Sequence, residues 1–551
     1  MKMMKFISKF MLCTFALFLI FINYPFQAKA QNEIAIADSL ARQTAEQIIK
    51  SGGNAVDAGV AALLTLAVVE PFSTGLGANA TFLIFQKDSQ FPIVIDSQGA
   101  APLSIDPRLF YRAPGDFDFY TSTGKLAPCV PGILAGAEKA IKKYGALSWE
   151  AVAEPAIELA EKGFPASQPF HEMLVKFYDK IMGNSAAFSY FFPEWVPPET
   201  GTILTFPDLA GSLKKISERG SAVFYRGSLA DRMSRYLQEE HSIIGATDFY
   251  NYSSEEKQAL AIQFRDLKIT AAPLPNVGGL TLLAMMKQME TTTTDSFAID
   301  SGEDIAFFVE NYQKAAALVG KFLSGKENIS VVEQQAFLDA VKPSQKRKRE
   351  IDQKFFAPLI FHEGQGAATI AIVDDGKNSV IINVSLNDYF GSKLMVERSG
   401  ILFNNSMNSF APLAGVPNSA KPGAKPYSWL TPVIVLQNNR PVLFLGANGA
   451  SRNIITFARM IYYFHSNKTD PAELAKMPRF HFNLSKNLIE MESRFSAQAM
   501  EYLKNRGYDI ELKTFYDIYF GNCQLIYWDE TQHQYRAVND VRREGVIYLN
   551  H

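Results

Sequence analysis

The stretch GQGAATIAIVDDGKNSVIINVSLNDYFGS, residues 364–392, brings glycine and alanine to the mouth of two strand-like segments. Small residues at such a place mean that something approaches the backbone closely. Two other features bear on chemistry. The thiols Cys129 and Cys523 are candidate nucleophiles, but neither sits in a local pattern that would activate a thiolate. Whether the two pair is left open. The run Lys346-Arg347-Lys348-Arg349 is strongly basic and reads as a solvated linker before it reads as a binding patch.

The chain around these residues is 551 long, 47% hydrophobic and 20% charged, with a formal net charge of -2. That is the composition of a globular protein with a large core, and it gives no sign of a nucleic-acid partner. At the N-terminus, Lys2, Lys5 and Lys9 precede an apolar run from Phe10 to Ile22, followed by Ala28-Lys29-Ala30. This reads as a secretory signal peptide over residues 1–30. The run is too short to span a bilayer, and Cys13 lies within it, far from the expected cut. The mature chain is expected in a bacterial periplasm or outside the cell, with no membrane span.

The elements that must hold a site follow from periodicity. Helical spacing marks 37–49, with a stop at Ser51-Gly52-Gly53-Asn54, and an almost wholly apolar helix follows over 55–69. Further helices are expected near 133–143, 148–162, 228–240 and 330–341. Strand patterns occur at TFLIF and PIVIDS, and the last third is rich in them: TIAIVDD, SVIINVSL, TPVIVLQ and PVLFLGA, then 522–528 and 534–538, with a helix from about Ser451. Turns are expected at Asp375-Gly376 and Asn438-Asn439. The absence of GxGxxG and GxxxxGK patterns argues against a nucleotide-binding fold. A helix–sheet–sheet–helix sandwich fits better. No cofactor and no metal-ligand set is expected.

Eight blocks in order resemble the gamma-glutamyltranspeptidase family: SGGNAVDAGVAALLTLAVVEP (51–71), GLGANATFLIF, IDSQGAAP (95–102), PLPNVGG (273–279), FGSKLMVERSGILFNNSMNSF (390–410), PYSWLTPVIV (426–435), GANGASRNI (446–454) and AVNDVRR (537–543). The resemblance implies the α+β, four-layer αββα sandwich of N-terminal-nucleophile hydrolases. It also implies a precursor that cuts itself once and exposes a threonine whose own amine is the base. It divides the chain into a large-subunit-like region (31–340), a pre-cleavage linker (341–366) and a small-subunit-like region (367–551), folded as one intertwined domain.

The same resemblance places the nucleophile at Ala367, followed by Ala368. Alanine can neither cut the chain nor carry an acyl group. The arginine that grips the substrate carboxylate falls at Gln98. The acidic residue for the substrate amine falls at Ser409, and its amide neighbour at Ser406. The paired serines become Ser428 and Trp429, and the oxyanion glycines become Gly449 and Ala450. Ser385, Asn387, Ser428 and Gly449 keep the family pattern, as substrate contacts or as parts of turns and strand ends. Asp540 and Arg542 read as a structural ion pair. The leading expectation is therefore an exported family member without family catalysis, whose partner is an unknown small molecule or protein. The alternative is an amide hydrolase that cuts before Thr369, which lies two residues on and on the same strand face as Ala367.

Overall fold

The computed structural model describes residues 32–111, 113, 115–291, 297–343, 352–466 and 469–542. The signal-peptide segment and the basic run at 346–349 lie outside the described residues. Two six-stranded sheets form the centre. In spatial order the first holds Glu33–Ile36, Gly366–Val373, Ser379–Asn387, Asn79–Phe85, Ile93–Ser97 and Glu255–Gln258. The second holds Gln534–Asn539, Cys523–Asp529, Arg440–Ala447, Val433–Gln437, Leu267–Ala271 and Leu260–Phe264. Every pairing in both sheets is antiparallel.

The alternation of side chains along the strands builds the layers. In Gly366–Val373, Ala368, Ile370 and Ile372 face a helical layer that includes Ala55–Val69 and Ile133–Tyr144. Ala371 and Val373 face the second sheet, where they meet Ile434, Phe444 and Ile526. The far face of the second sheet packs on Val277–Met289, Gly302–Leu323 and Arg452–His465. The result is the expected αββα order. Strands buried on both faces read as continuous apolar runs, which is why 366–373 and 379–387 carry so few polar residues.

Local chemistry sets the element ends. Asn54 caps Ala55–Val69 by accepting from Val56 N–H at 2.8 Å, and Asp57 returns a bond to Asn54 N–H at 2.9 Å. The Ala55 N–H donates to Asp374 at 2.9 Å, which ties that helix start to the end of the first central strand. Asn438 and Asn439, at φ 51° and 60°, close the hairpin between Val433–Gln437 and Arg440–Ala447.

Part of the segment read from sequence as a linker is packed structure. Gln353–Leu359 forms a 3-10 helix with Phe356 and Leu359 buried. The Phe355 carbonyl lies 1.7 Å from where a Cβ on Gly320 would stand, so only glycine permits this contact. Cys129 and Cys523 are free and buried. Burial pushes both thiols up, Cys523 to about 12, so neither is a thiolate near neutral pH.

Asp540 and Arg542 do pair, at 2.9 Å, inside a larger buried network. Asp540 also binds Arg479, and Arg542 binds Glu492 at 2.8 Å; all four side chains are at most 1% exposed. Removing one partner from such a network leaves a buried charge uncompensated. Asp540→Ala is expected to lower stability by about 3–5 kcal/mol, read as a shift in the urea unfolding midpoint.

Candidate functional site

The small residues of 364–366 serve backbone contact. A Cβ on Gly364 would lie 2.2 Å from the Asn387 carbonyl oxygen, and one on Gly366 would lie 2.3 Å from that of Asp388. The neighbouring strand ends in a register shift between Ser385 and Asn387, and Asn387 takes a left-handed φ of 77° that asparagine tolerates. Ser385 Oγ donates to the Gly366 carbonyl at 2.6 Å and accepts from the Asn387 N–H at 2.7 Å. Asn448 Nδ2 donates to the Ala367 carbonyl at 3.1 Å. The peptide on either side of the Gly366–Ala367 bond is thus held on both carbonyls.

A small cavity opens against Ala367. Gln98, Ser385, Asn387, Ser406, Ser409, Ser428, Trp429 and Ala450 line it with Ala367, so nine residues far apart in sequence converge. Its volume is about 40 Å³, room for roughly three waters at about 10–15 Å³ each. Trp429 fills the rest: it is 3% exposed and stacks on Phe361 with centroids 5.9 Å apart and planes 15° apart.

Most of the polar groups around this cavity already have partners, while the buried Trp429 indole N–H has none. Gln98 Nε2 donates to Thr81 Oγ1 at 2.9 Å. Ser406 Oγ accepts from Asn79 at 2.7 Å. Ser409 Oγ donates to Asn387 Oδ1 at 2.9 Å, and Asn387 Nδ2 donates to the Asn405 carbonyl at 3.1 Å. Ser428 Oγ accepts from Leu430 N–H at 3.2 Å. The N–H groups of Gly449 and Ala450 point at Asn453. With that amide turned so that its nitrogen meets the Phe520 carbonyl, its oxygen accepts from both, at 2.7 and 3.2 Å. The reverse orientation would set donors against donors.

A family model described as gamma-glutamyltranspeptidase matches residues 41–549. The chain belongs to the gamma-glutamyltranspeptidase family. It is 28% identical over 517 residues to the glutathione hydrolase proenzyme of Escherichia coli, covering 89% of this chain and 88% of that one. It is 26% identical over 534 residues to the glutathione hydrolase proenzyme of Bacillus subtilis, covering 93% and 90%. The solved structure of a cephalosporin acylase from Bacillus halodurans superposes with a TM-score of 0.81 over 95% of this chain and 97% of that one, at 22% identity. That likeness concerns the fold, the N-terminal-nucleophile hydrolase sandwich.

Of the candidate site residues, Gly449 and the alternative nucleophile Thr369 lie outside the cavity wall. Gly449 is turned away, its N–H spent on Asn453. Thr369 shares a strand face with Ala367 but sits deeper between the sheets. Its Cγ2 lies 2.5 Å from where a Cβ on Gly446 would stand, and its buried hydroxyl has no partner. Its spacing was legible in the sequence; its depth was not.

Sequence reasoning missed Asn79, Phe361, His362, Glu363 and Tyr427, which also line the cavity. Three of these come from the segment read as a linker, where no periodicity marked them. His362 Nε2 lies 2.8 and 3.0 Å from the Asp388 oxygens, and Asn405 Nδ2 donates to the same carboxylate at 2.7 Å. Among the described residues no serine or threonine hydroxyl is within hydrogen-bond reach of His362, so histidine and aspartate here do not extend to a hydroxyl triad. No group of three or more metal-ligating side chains among the described residues is placed to hold an ion.

Two outcomes follow from this geometry. Trp429→Ala should open the cavity and cost about 3–5 kcal/mol, seen in chemical unfolding. Burial pulls the His362 imidazole down, but the Asp388 carboxylate more than offsets it and holds the ring above its ordinary 6.5. The folded chain therefore binds this proton more tightly than the unfolded one. The stabilisation is complete below the unfolded value of 6.5 and fades as pH rises through the raised folded value. The melting temperature should fall as pH rises above the ordinary histidine value of 6.5, and His362→Gln should flatten that part of the profile.

Proposed function

We propose that this chain is an exported member of the gamma-glutamyltranspeptidase family that stays in one piece and does not turn over gamma-glutamyl amides. One observation carries the reading: the cavity against Ala367 has about 40 Å³ of space, and its anchors are hydrogen-bonded to the protein itself. Self-cutting needs a side-chain hydroxyl to attack the preceding carbonyl, and Ala367 has none. Without the cut there is no free amine beside the site, so nucleophile and base are lost together.

The magnitudes agree. Loss of a nucleophile costs on the order of 10⁶ in turnover. Each charged hydrogen bond lost from a substrate costs about 1.5–3 kcal/mol. Gln98 and Ser409 carry no charge with which to hold the carboxylate and amine of a glutamyl group. The interleaving of strands 33–36 and 79–85 with 366–373 and 379–387 in one sheet supports reading the two family regions as one domain joined through 341–366. Export rests on the N-terminal pattern of residues 1–30, which leaves Gln31 as the first mature residue. Among the described residues no helix is long and apolar enough to cross a membrane.

Intact-mass measurement on the purified mature protein should give one polypeptide, and release of a chromogenic amine from a gamma-glutamyl anilide should match a heat-killed control. Ala367→Thr should restore at most the cut, since the Gly366 carbonyl is already held by Ser385, and not efficient turnover. Two fragments from the unaltered chain, split within 366–369 and accompanied by amine release, would overturn the proposal.

A further inference from the structure

A second chamber lies behind the first, with Phe361, His362 and Glu363 as their shared wall. Its volume is about 240 Å³, just under the range of roughly 300–1,000 Å³ usual for drug-sized ligands. Tyr312, Ser451, Arg452, His481, Asn483 and Tyr519 line the far side. None of these six was assigned a role around Ala367.

Arg452 dominates the chamber. It is 5% exposed and opens the helix Arg452–His465. A guanidinium has five N–H donors. Here Nη1 donates to Glu363 Oε2 at 3.1 Å, while Nε is buried without a partner. The guanidinium sits 4.7 Å from the Tyr519 ring centroid, which holds its plane without using its donors. The Ser451 N–H, at the helix start, donates to the same Glu363 oxygen at 3.2 Å. That end of a helix favours negative charge.

Two more polar groups in the chamber are unpaired. His481 is 3% exposed; its Nε2 lies 3.3 Å from Ser451 Oγ, and its Nδ1 has no partner. Burial and the charge of Arg452 hold this ring well below its ordinary value, so it is neutral. The Tyr312 hydroxyl is buried and unpaired as well. A buried polar group left unmade costs about 1–3 kcal/mol, and native proteins hold few of them. Three of them gather around one polar chamber, beside a guanidinium that is mostly unspent.

We propose that this chamber binds a small oxyanion, a carboxylate or a phosphate, on the free donors of Arg452, with Glu363 as a built-in competitor for the same guanidinium. The planar donor fork matches either oxyanion. Glu363 presents only one oxygen to it, from one edge of the chamber. Its carboxyl is pushed up by burial even beside Arg452, and an anion that takes over the guanidinium pushes it up further, so displacing Glu363 goes with its protonation. The proposal does not rest on the fate of Ala367, because Arg452, Ser451 and His481 lie outside the strap that a cut after Gly366 would free.

The test is calorimetric titration of the full mature chain at low ionic strength, with succinate and inorganic phosphate in separate runs. Saturable one-site binding is expected, and the tighter of the two probes names the chemistry. Glu363→Gln removes the competing charge and keeps the shape; it should tighten that binding about tenfold. Arg452→Lys keeps a cation beside Glu363 but loses the fork, and should weaken binding about tenfold. Absence of saturable binding of either probe to Glu363→Gln overturns the proposal, even if Arg452→Lys fails to fold. Equal affinity of the unaltered chain and a folded Arg452→Lys would place the anion elsewhere and overturn it too.

Discussion

The antiparallel pairing of Gly366–Val373 with Ser379–Asn387 is the constraint on which the rest of the structure depends. The pair is buried on both faces, against helices on one side and the second sheet on the other. It also fixes where Ala367 can be. The first strand begins one residue earlier, where Gly366 passes so close to Asp388 that no side chain fits. The site is therefore an end effect of the sheet. The chain runs out of one strand mouth and the opposite strand breaks register at Ser385 and Asn387. Ser385, with Asn448 from the second sheet's side, then holds the peptide in place.

This explains how the site can keep its shape whatever chemistry it performs. Ser385 bonds the Gly366 carbonyl, and Asn387 bonds Ser409 and the Asn405 carbonyl. These bonds are needed to pair buried polar groups whether or not a substrate ever arrives. Replacing an anchor by serine or glutamine does not leave a hole in that accounting, since Ser409 and Gln98 find protein partners. Trp429 then takes up volume and stacks on Phe361. These contacts leave a narrow lined cavity against Ala367.

Much of this was legible in the chain. Apolar runs and their alternation located the two central strands, the buried helix 55–69 and the hairpin at Asn438-Asn439, because burial on both faces leaves a compositional mark. The family resemblance located nine of the cavity residues. What sequence could not supply was depth and direction. Thr369 and Ala367 share a face by the period of two, yet one meets Gly446 and the other meets the cavity. Gly449 lies in a matching motif, but a backbone N–H pointing at Asn453 has no signature in residue types. The segment 352–366 looked loose because a 3-10 helix and an irregular strap have neither the helical nor the strand period.

That strap, residues 361–363, is where the structure departs furthest from its sequence appearance. It stacks on Trp429 through Phe361, pairs with Asp388 through His362 and reaches Arg452 through Glu363. Three successive side chains are thus committed to three different elements, one aromatic and two charged. In an uncut chain it is anchored at both ends, by the 3-10 helix before it and the central strand after it. Its contacts are then intramolecular and need no binding partner to persist. A chain cut after Gly366 would free one end, and the same three contacts would have to hold the strap against its regained conformational entropy. On the proposed reading that the chain stays uncut, the absence of a hydroxyl at position 367 and the packing of the strap reinforce one another: an intact chain keeps the strap tethered, and a tethered strap keeps the cavity narrow.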